Sequence, residues 1–130
     1  VAEQSVALLL VLVRHLPEAH DRVRAGNFSI DGLMGNDLHG KTVGVVGTGR
    51  IGWAFACIML GFGCTLLGYD IQPNPKILDA GVKYVSLDQL LRQSDVISLH
   101  CPLPQTDYLI NDRTLTLLKS NALILNTGRG

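Results

Sequence analysis

The chain has 130 residues, room for one domain, and 47% of them are apolar, enough to bury a core. Its 11 basic residues balance 11 acidic ones, so it lacks the basic footprint of a nucleic-acid binder, and its 5% of aromatic residues provide no stacking platform for single strands. The apolar run from Val6 to Val13, bracketed by Glu3, Gln4 and Arg14, is less than half of the roughly 20 residues that span a bilayer, which excludes a membrane partner.

In chain order, Ala2 to Leu16 predicts a helix apolar almost all round. Such a helix is expected to be buried on nearly every side, by its own domain or by a partner. The opening Val-Ala-Glu lacks the basic start of a signal peptide. Pro17 can open a second helix, with Gly26 as its stop, so residues 1–26 read as a helical lead-in. Asn27 to Gly40, rich in Gly, Asn and Asp, is a loop.

From Lys41 the pattern alternates. "KTVGVVG" is a strand, "RIGWAFACIMLGFG" a helix, "CTLLGYD" a second strand and "VKYV" a weak third. "SLDQLLRQSD" is a short helix whose Ser86 and Gln89 have capping-box spacing. "VISLHC" is a fourth strand, Asn111 to Lys119 a helix capped by Asn111, and "ALILNT" a fifth strand. Strand and helix in alternation imply parallel pairing with right-handed crossovers. The strands lack polar alternation, as expected when helices cover both faces. The expected fold is α/β, a three-layer, Rossmann-like, doubly wound parallel sheet.

The strongest local signal is Gly47-Thr48-Gly49-Arg50-Ile51-Gly52, a G-x-G-x-x-G string after a strand and at the start of a helix. Gly47 permits the tight turn, Gly49 lets a pyrophosphate approach the backbone, and Gly52 lets helix and strand pack closely. Free N–H groups at the helix start then face the phosphates. The plainer alternative is a glycine-rich turn with no ligand.

Asp70 ends the second strand, 18 residues after Gly52, where a carboxylate can accept hydrogen bonds from ribose hydroxyls. It would also repel a 2′-phosphate, and the first basic residue after it is Lys76, so NAD is expected over NADP. The alternative is an aspartate that merely starts the turn before Pro73. His100-Cys101-Pro102 ends the fourth strand, near the expected switch in strand order. His100 suits a supporting place beside the cofactor better than that of a catalytic base, whereas His15, His20 and His39 read as surface or helix-end residues. Cys57, Cys64 and Cys101 have no metal or redox spacing and read as buried free thiols of a cytosolic protein.

Together, "VAEQSVALLLVLVRHLPEAHDRVRAGNFSIDGLMGNDLHGKTVGVVGTGRIG", "GFGCTLLGYD", "SDVISLHCPL" and "LILNTGRG" resemble the D-isomer-specific 2-hydroxyacid dehydrogenases, and within them the fermentative D-lactate enzymes. The resemblance covers essentially the whole chain. It implies an NAD-binding Rossmann domain over residues 1–130, cut short on its C-terminal side, with the catalytic domain absent. It also implies a cytoplasmic homodimer formed through cofactor domains, and a small 2-keto or 2-hydroxy acid as substrate.

Position by position, the resemblance puts the pyrophosphate on Arg50 and Ile51 and the adenosine ribose on Asp70. Cys101, Pro102 and Thr106 line the cofactor, and Thr127 and Gly128 lie beside its nicotinamide end. Arg129 matches the catalytic arginine that binds the substrate carboxylate. A glutamate and a proton-donating histidine are expected after the arginine, beyond Gly130. The chain departs from the pattern at Gly128, where Ser or Ala is usual, and at Trp53, which is bulky for its place. Pyruvate and D-lactate are the expected pair, with glyoxylate, hydroxypyruvate and longer 2-keto acids left open. Two other readings are an NAD-sensing corepressor, as in some relatives, and a methyltransferase. The full glycine spacing and "NTGRG" argue against the latter.

Overall fold

The structure, a computed structural model, describes residues 1–102 and 108–128. Its helices are α1 (Ala2–Arg14), α2 (Leu16–Arg24), α3 (Arg50–Gly61), α4 (Pro75–Asp79), α5 (Leu87–Gln93) and α6 (Asp112–Leu115). Its strands are β1 (Thr42–Val46), β2 (Thr65–Tyr69), β3 (Lys83–Tyr84), β4 (Val96–Leu99) and β5 (Leu123–Asn126). All strand pairs are parallel, in the order β3-β2-β1-β4-β5. The chain winds outward from β1 to β3, then crosses back and winds the other way through β4 and β5. The order therefore reverses between β1 and β4, as a doubly wound sheet requires.

Helices cover both faces. Val43, Val45, Leu66, Val96 and Leu125 face the layer of α1 and α3, where Leu9, Phe55, Ala56 and Met59 are buried. Val46, Leu67 and Ile97 face Leu90 and Leu91 of α5. Gly44 makes that second approach possible, because a Cβ there would run into the side chain of Leu90 and lie 2.5 Å from Ser94 Oγ. The expected three-layer α/β fold is thus found, with four strands shorter than predicted at both ends and β4 shorter only at its C-terminal end.

The helices differ from expectation in four places. The first ends at Arg14 because His15 adopts a left-handed conformation (φ 51°), which closes α1 and starts α2 one residue before Pro17. Nor does this chain by itself cover α1 on nearly every side, which leaves the rest of the expected burial to a partner. Ala2, Ser5, Val6, Leu9 and Val13 point inward, but Leu8 and Leu12 are 40% and 51% exposed. One face of the helix meets α3 and β5, and Leu8 and Leu12 lie on the other, partly exposed among the described residues.

The third difference is α4, which was not foreseen. It forms because Asn74 caps it by accepting from Lys76 N–H at 3.1 Å, with Pro75 preset in its first turn. Finally, α6 is one turn rather than a helix to Lys119. Its cap is as expected, with Asn111 accepting from Thr114 N–H at 3.0 Å, but Leu117 and Leu118 then donate to carbonyls three residues back, tightening the chain out of the α-ladder. The capping box on α5 forms as read, Ser86 Oγ accepting from Gln89 N–H at 3.3 Å and Gln89 Oε1 from Ser86 N–H at 3.2 Å. Among the described residues no helix is long and apolar enough to cross a membrane.

Candidate functional site

The carboxyl ends of β1, β2, β4 and β5 converge on the turn after β1. Gly47 takes φ 89°, and its N–H donates to Tyr69 C=O at 2.9 Å, tying the turn to β2. On its other side a Cβ at Gly47 would lie 2.7 Å from Cys101 N and His100 C, so only glycine lets the end of β4 pass this close. Gly52 is buried beneath the turn, where a Cβ would collide with the Gly47 carbonyl oxygen. Gly49 is the opposite case: it is exposed, and a Cβ there would meet nothing within 4 Å.

Gly49 also begins α3 without any side-chain cap, and the first N–H bonded back across this turn is that of Trp53, to Gly49 C=O at 2.8 Å. The N–H groups of Arg50, Ile51 and Gly52 are therefore presented at the positive end of a helix of 12 residues. A cradle of bare glycine backbone with open space over Gly49 fits a pyrophosphate. Arg50 and Ile51 are both exposed in this first turn, as the expected contacts need.

Asp70, half-buried just past β2, is held by three donors. Thr48 N–H and Thr48 Oγ1–H donate to Oδ2 at 2.6 and 3.0 Å, and Gln72 N–H donates to Oδ1 at 3.0 Å. Burial pulls its pKa upward, but the bonds from Gln72 and Thr48 outweigh this and hold it below the ordinary carboxylate range, so Asp70 is an anion at neutral pH. Behind it Tyr84 Oη donates to Thr48 Oγ1 at 2.6 Å and accepts from Asn74 N–H at 2.7 Å. Sequence reasoning missed Thr48, Asn74 and Tyr84. The available signal was that a tyrosine on a sheet strand needs a partner for its hydroxyl when packed inward.

Cys101 and Pro102 follow β4 beside the Gly47 turn, and the position of a Cβ on Gly128 lies 3.9 Å from Cys101 C=O. The structure thus brings Gly47, Cys101 and Gly128 to one edge. Burial, then the nearby Asp70 charge, push the Cys101 thiol upward and keep it protonated. Thr127 turns its hydroxyl toward the start of α1, 2.9 Å from the buried Ser5 Oγ. Thr106 and Arg129 lie outside the described residues.

His100 sits at the end of β4, packed between Ser98 and Phe55. Its Nε2 is 2.9 Å from Ser98 Oγ and its ring lies 5.0 Å from that of Phe55. Burial lowers its pKa to about 4, so it is neutral at pH 7. The expectation of three buried thiols needs correction: Cys64 is buried, its thiol donating to Leu38 C=O at 3.2 Å, but Cys57 is exposed, because α3 packs one face on the sheet and Cys57 falls on the other. No group of three metal-ligating side chains occurs among the described residues.

Comparison with known proteins agrees with this geometry. The family model described as D-isomer specific 2-hydroxyacid dehydrogenase, NAD binding domain, matches residues 6–130. A D-lactate dehydrogenase of Curvularia clavata is 53% identical over 131 aligned residues, covering 100% of this chain and 37% of the relative. The solved structure of Salmonella D-lactate dehydrogenase superposes with a TM-score of 0.96 at 46% identity, covering 100% of this chain and 40% of that one. D-Lactate dehydrogenase from Aquifex aeolicus, solved with NAD and lactic acid, gives a TM-score of 0.93 at 42% identity over 99% of this chain and 39% of that one. The chain thus spans about two-fifths of the length of the relatives it matches. With the glycine turn, the uncapped helix and the carboxylate in place, the chain belongs to the D-isomer-specific 2-hydroxyacid dehydrogenase family and is its NAD-binding, Rossmann-like domain.

Proposed function

We propose that the protein carrying this chain is an NAD-dependent oxidoreductase that interconverts D-lactate and pyruvate. The observation that carries the reading is the pairing of a glycine cradle at the α3 N-terminus with a carboxylate anion at the end of β2, in a chain whose relatives include D-lactate dehydrogenases. When bound, the nicotinamide supplies or accepts a hydride. The backbone N–H groups of Arg50 and Ile51 hold the pyrophosphate, and Asp70 accepts from the adenosine ribose. Cys101, Pro102 and Thr106 line the cofactor, with Thr127 and Gly128 nearer its reactive end. Arg129 pairs with the substrate carboxylate. The group that protonates the carbonyl oxygen, and the domain that closes over the substrate, lie outside these 130 residues. Three unpaired cysteines fit a reducing compartment such as the cytoplasm.

The test is NADH oxidation by the intact protein against pyruvate, glyoxylate, hydroxypyruvate and a longer 2-keto acid. The highest kcat/KM is expected with pyruvate and the product should be D-lactate. Preference for another acid would move the substrate assignment within the family. Tight NADH binding without turnover on any of them would replace the enzyme reading with that of a cofactor-sensing module.

A homodimer belongs to the same proposal. Leu8 and Leu12, one turn apart on α1, leave an apolar stripe in water that burial against a second copy would cover. Sedimentation at micromolar concentration should give twice the chain mass, and Leu12→Glu should shift the species toward monomer. A sharp monomer peak for the unaltered protein would refute the dimer.

A further inference from the structure

We propose that Tyr84 is a positioning residue for the adenosine ribose, acting through Thr48 to hold Asp70 with Oδ1 open toward the cofactor and thereby sharpening the choice of NAD over NADP. The inference rests on Asp70 being the ribose carboxylate. Its basis is a chain of hydrogen bonds whose direction is fixed at both ends. Asn74 N–H can only donate, and it donates to Tyr84 Oη at 2.7 Å. The tyrosine proton is then free for Thr48 Oγ1, 2.6 Å away. With that oxygen already accepting, the Thr48 proton goes to Asp70 Oδ2 at 3.0 Å, and a carboxylate anion can only accept. Such a chain polarises each bond in the same sense.

The surroundings are built for it. Thr48 is fully buried, so its hydroxyl has no water to turn to. Gly68 pairs with Tyr84 across β2 and β3, and the position of a Cβ on Gly68 lies 3.4 Å from Tyr84 Cε1 and 3.5 Å from Thr48 Cγ2, so this strand position is in contact with both members of the chain. Asn74 is itself anchored, its Nδ2 donating to Thr48 C=O at 3.1 Å while its Oδ1 caps α4. The short helix therefore fixes one end of the chain and the carboxylate forms the other.

The consequence at Asp70 is an asymmetry between its oxygens. Oδ2 accepts from both Thr48 N–H and Thr48 Oγ1–H, which fills its two in-plane lone pairs. Oδ1 accepts from Gln72 N–H, and with Ile71 N–H also close to the carboxylate it is still the oxygen with fewer full hydrogen bonds, the one left to face a ribose hydroxyl. A carboxylate held in this orientation also presents its charge to a 2′-phosphate. Without the Tyr84 hydroxyl, the Thr48 proton loses its enforced direction and Asp70 can turn away, weakening the ribose bond and relieving the repulsion together.

The experiment titrates this chain with NADH and with NADPH, following cofactor fluorescence, for the unaltered protein, Tyr84→Phe, Asp70→Ser and the double variant. A thermal melt without cofactor checks that each is folded. Asp70→Ser should weaken NADH and narrow the NADH preference. Tyr84→Phe should narrow the preference by about threefold to tenfold, the worth of one hydrogen bond, and should add nothing in the Asp70→Ser background. A purely structural loss would lower both affinities alike and leave their ratio unchanged, which would overturn the proposal. So would an equal effect of Tyr84→Phe with and without Asp70. A ratio unmoved by Asp70→Ser would instead remove the ribose assignment beneath it. If Tyr84→Phe does not fold, Thr48→Val against Thr48→Ser makes the same comparison, with serine expected to retain the preference and valine to lose it.

Discussion

In the intact protein, Arg129→Lys is expected to lower kcat for pyruvate reduction by about 10²–10³, while NADH affinity stays within about twofold. β5 carries the chain to Thr127 and Gly128 at the same edge as the Gly47 turn and Cys101, and Arg129 is the next residue. By resemblance it holds the substrate carboxylate and polarises the adjoining carbonyl as hydride arrives. A planar guanidinium makes two parallel hydrogen bonds to a carboxylate and so fixes its angle as well as its position. Lysine keeps the charge and loses the fork, so encounter survives and orientation does not. Under the proposed function the pyrophosphate and ribose rest on the glycine turn and Asp70 rather than on this side chain, so cofactor binding should be spared.

The 130 residues purified alone should bind NADH and oxidise none of it with pyruvate. A missing general acid typically costs about 10²–10⁴ in rate. A missing facing domain adds the loss of positioning, which supplies roughly 7–11 kcal/mol in favourable systems. Steady-state assays on both proteins, beside NADH titrations, check these outcomes. Full turnover in Arg129→Lys would remove the arginine from the chemistry, and turnover by the chain alone would place the acid within it.

Gly52→Ala is expected to destabilise the domain by about 3 kcal/mol, the upper end of the range for overpacking. The added methyl would collide with the Gly47 carbonyl oxygen, and it would lie 3.0 Å from the Gly47 carbonyl carbon and 3.3 Å from Val45 Cγ1. The turn cannot retreat, because Gly47 is itself pressed against the backbone of His100 and Cys101. The remaining relief is to lift α3 from the sheet, which uncovers Phe55, Ala56 and Met59. Alanine's better helix propensity returns only about 1 kcal/mol, too little to reverse the sign.

Gly49→Ala provides the contrast. Its methyl meets no protein atom within 4 Å, so stability should change by less than about 1 kcal/mol. That methyl occupies the space assigned to the pyrophosphate, and NADH affinity should fall by about tenfold or more, a single clash of this kind costing upwards of 1.4 kcal/mol. Urea denaturation and NADH titration of the two variants decide the matter. Equal stability losses at both positions would mean that the two glycines do not divide their roles in this way.

What the sequence determined by itself was local or periodic. The alternation of apolar strands and helices required a parallel sheet covered on both faces, and the spacing of Gly47, Gly49, Gly52 and Asp70 pointed to a dinucleotide site at its edge. The capping box of Ser86 with Gln89 and the cap residue Asn111 were legible because such bonds span only three residues. Tertiary structure decided what depends on neighbours distant in the chain. Apolar content alone indicated burial all round α1, yet only the packing of α3 and β5 selected which face is covered and left Leu8 and Leu12 outside. The same applies at the site. Asp70 was readable from its place after a strand, whereas Thr48 and Tyr84, 36 positions apart, act together only because β3 docks on β2 and brings a hydroxyl to the glycine turn. A hydrogen bond has no sequence period, so that partnership exists only once the sheet has formed.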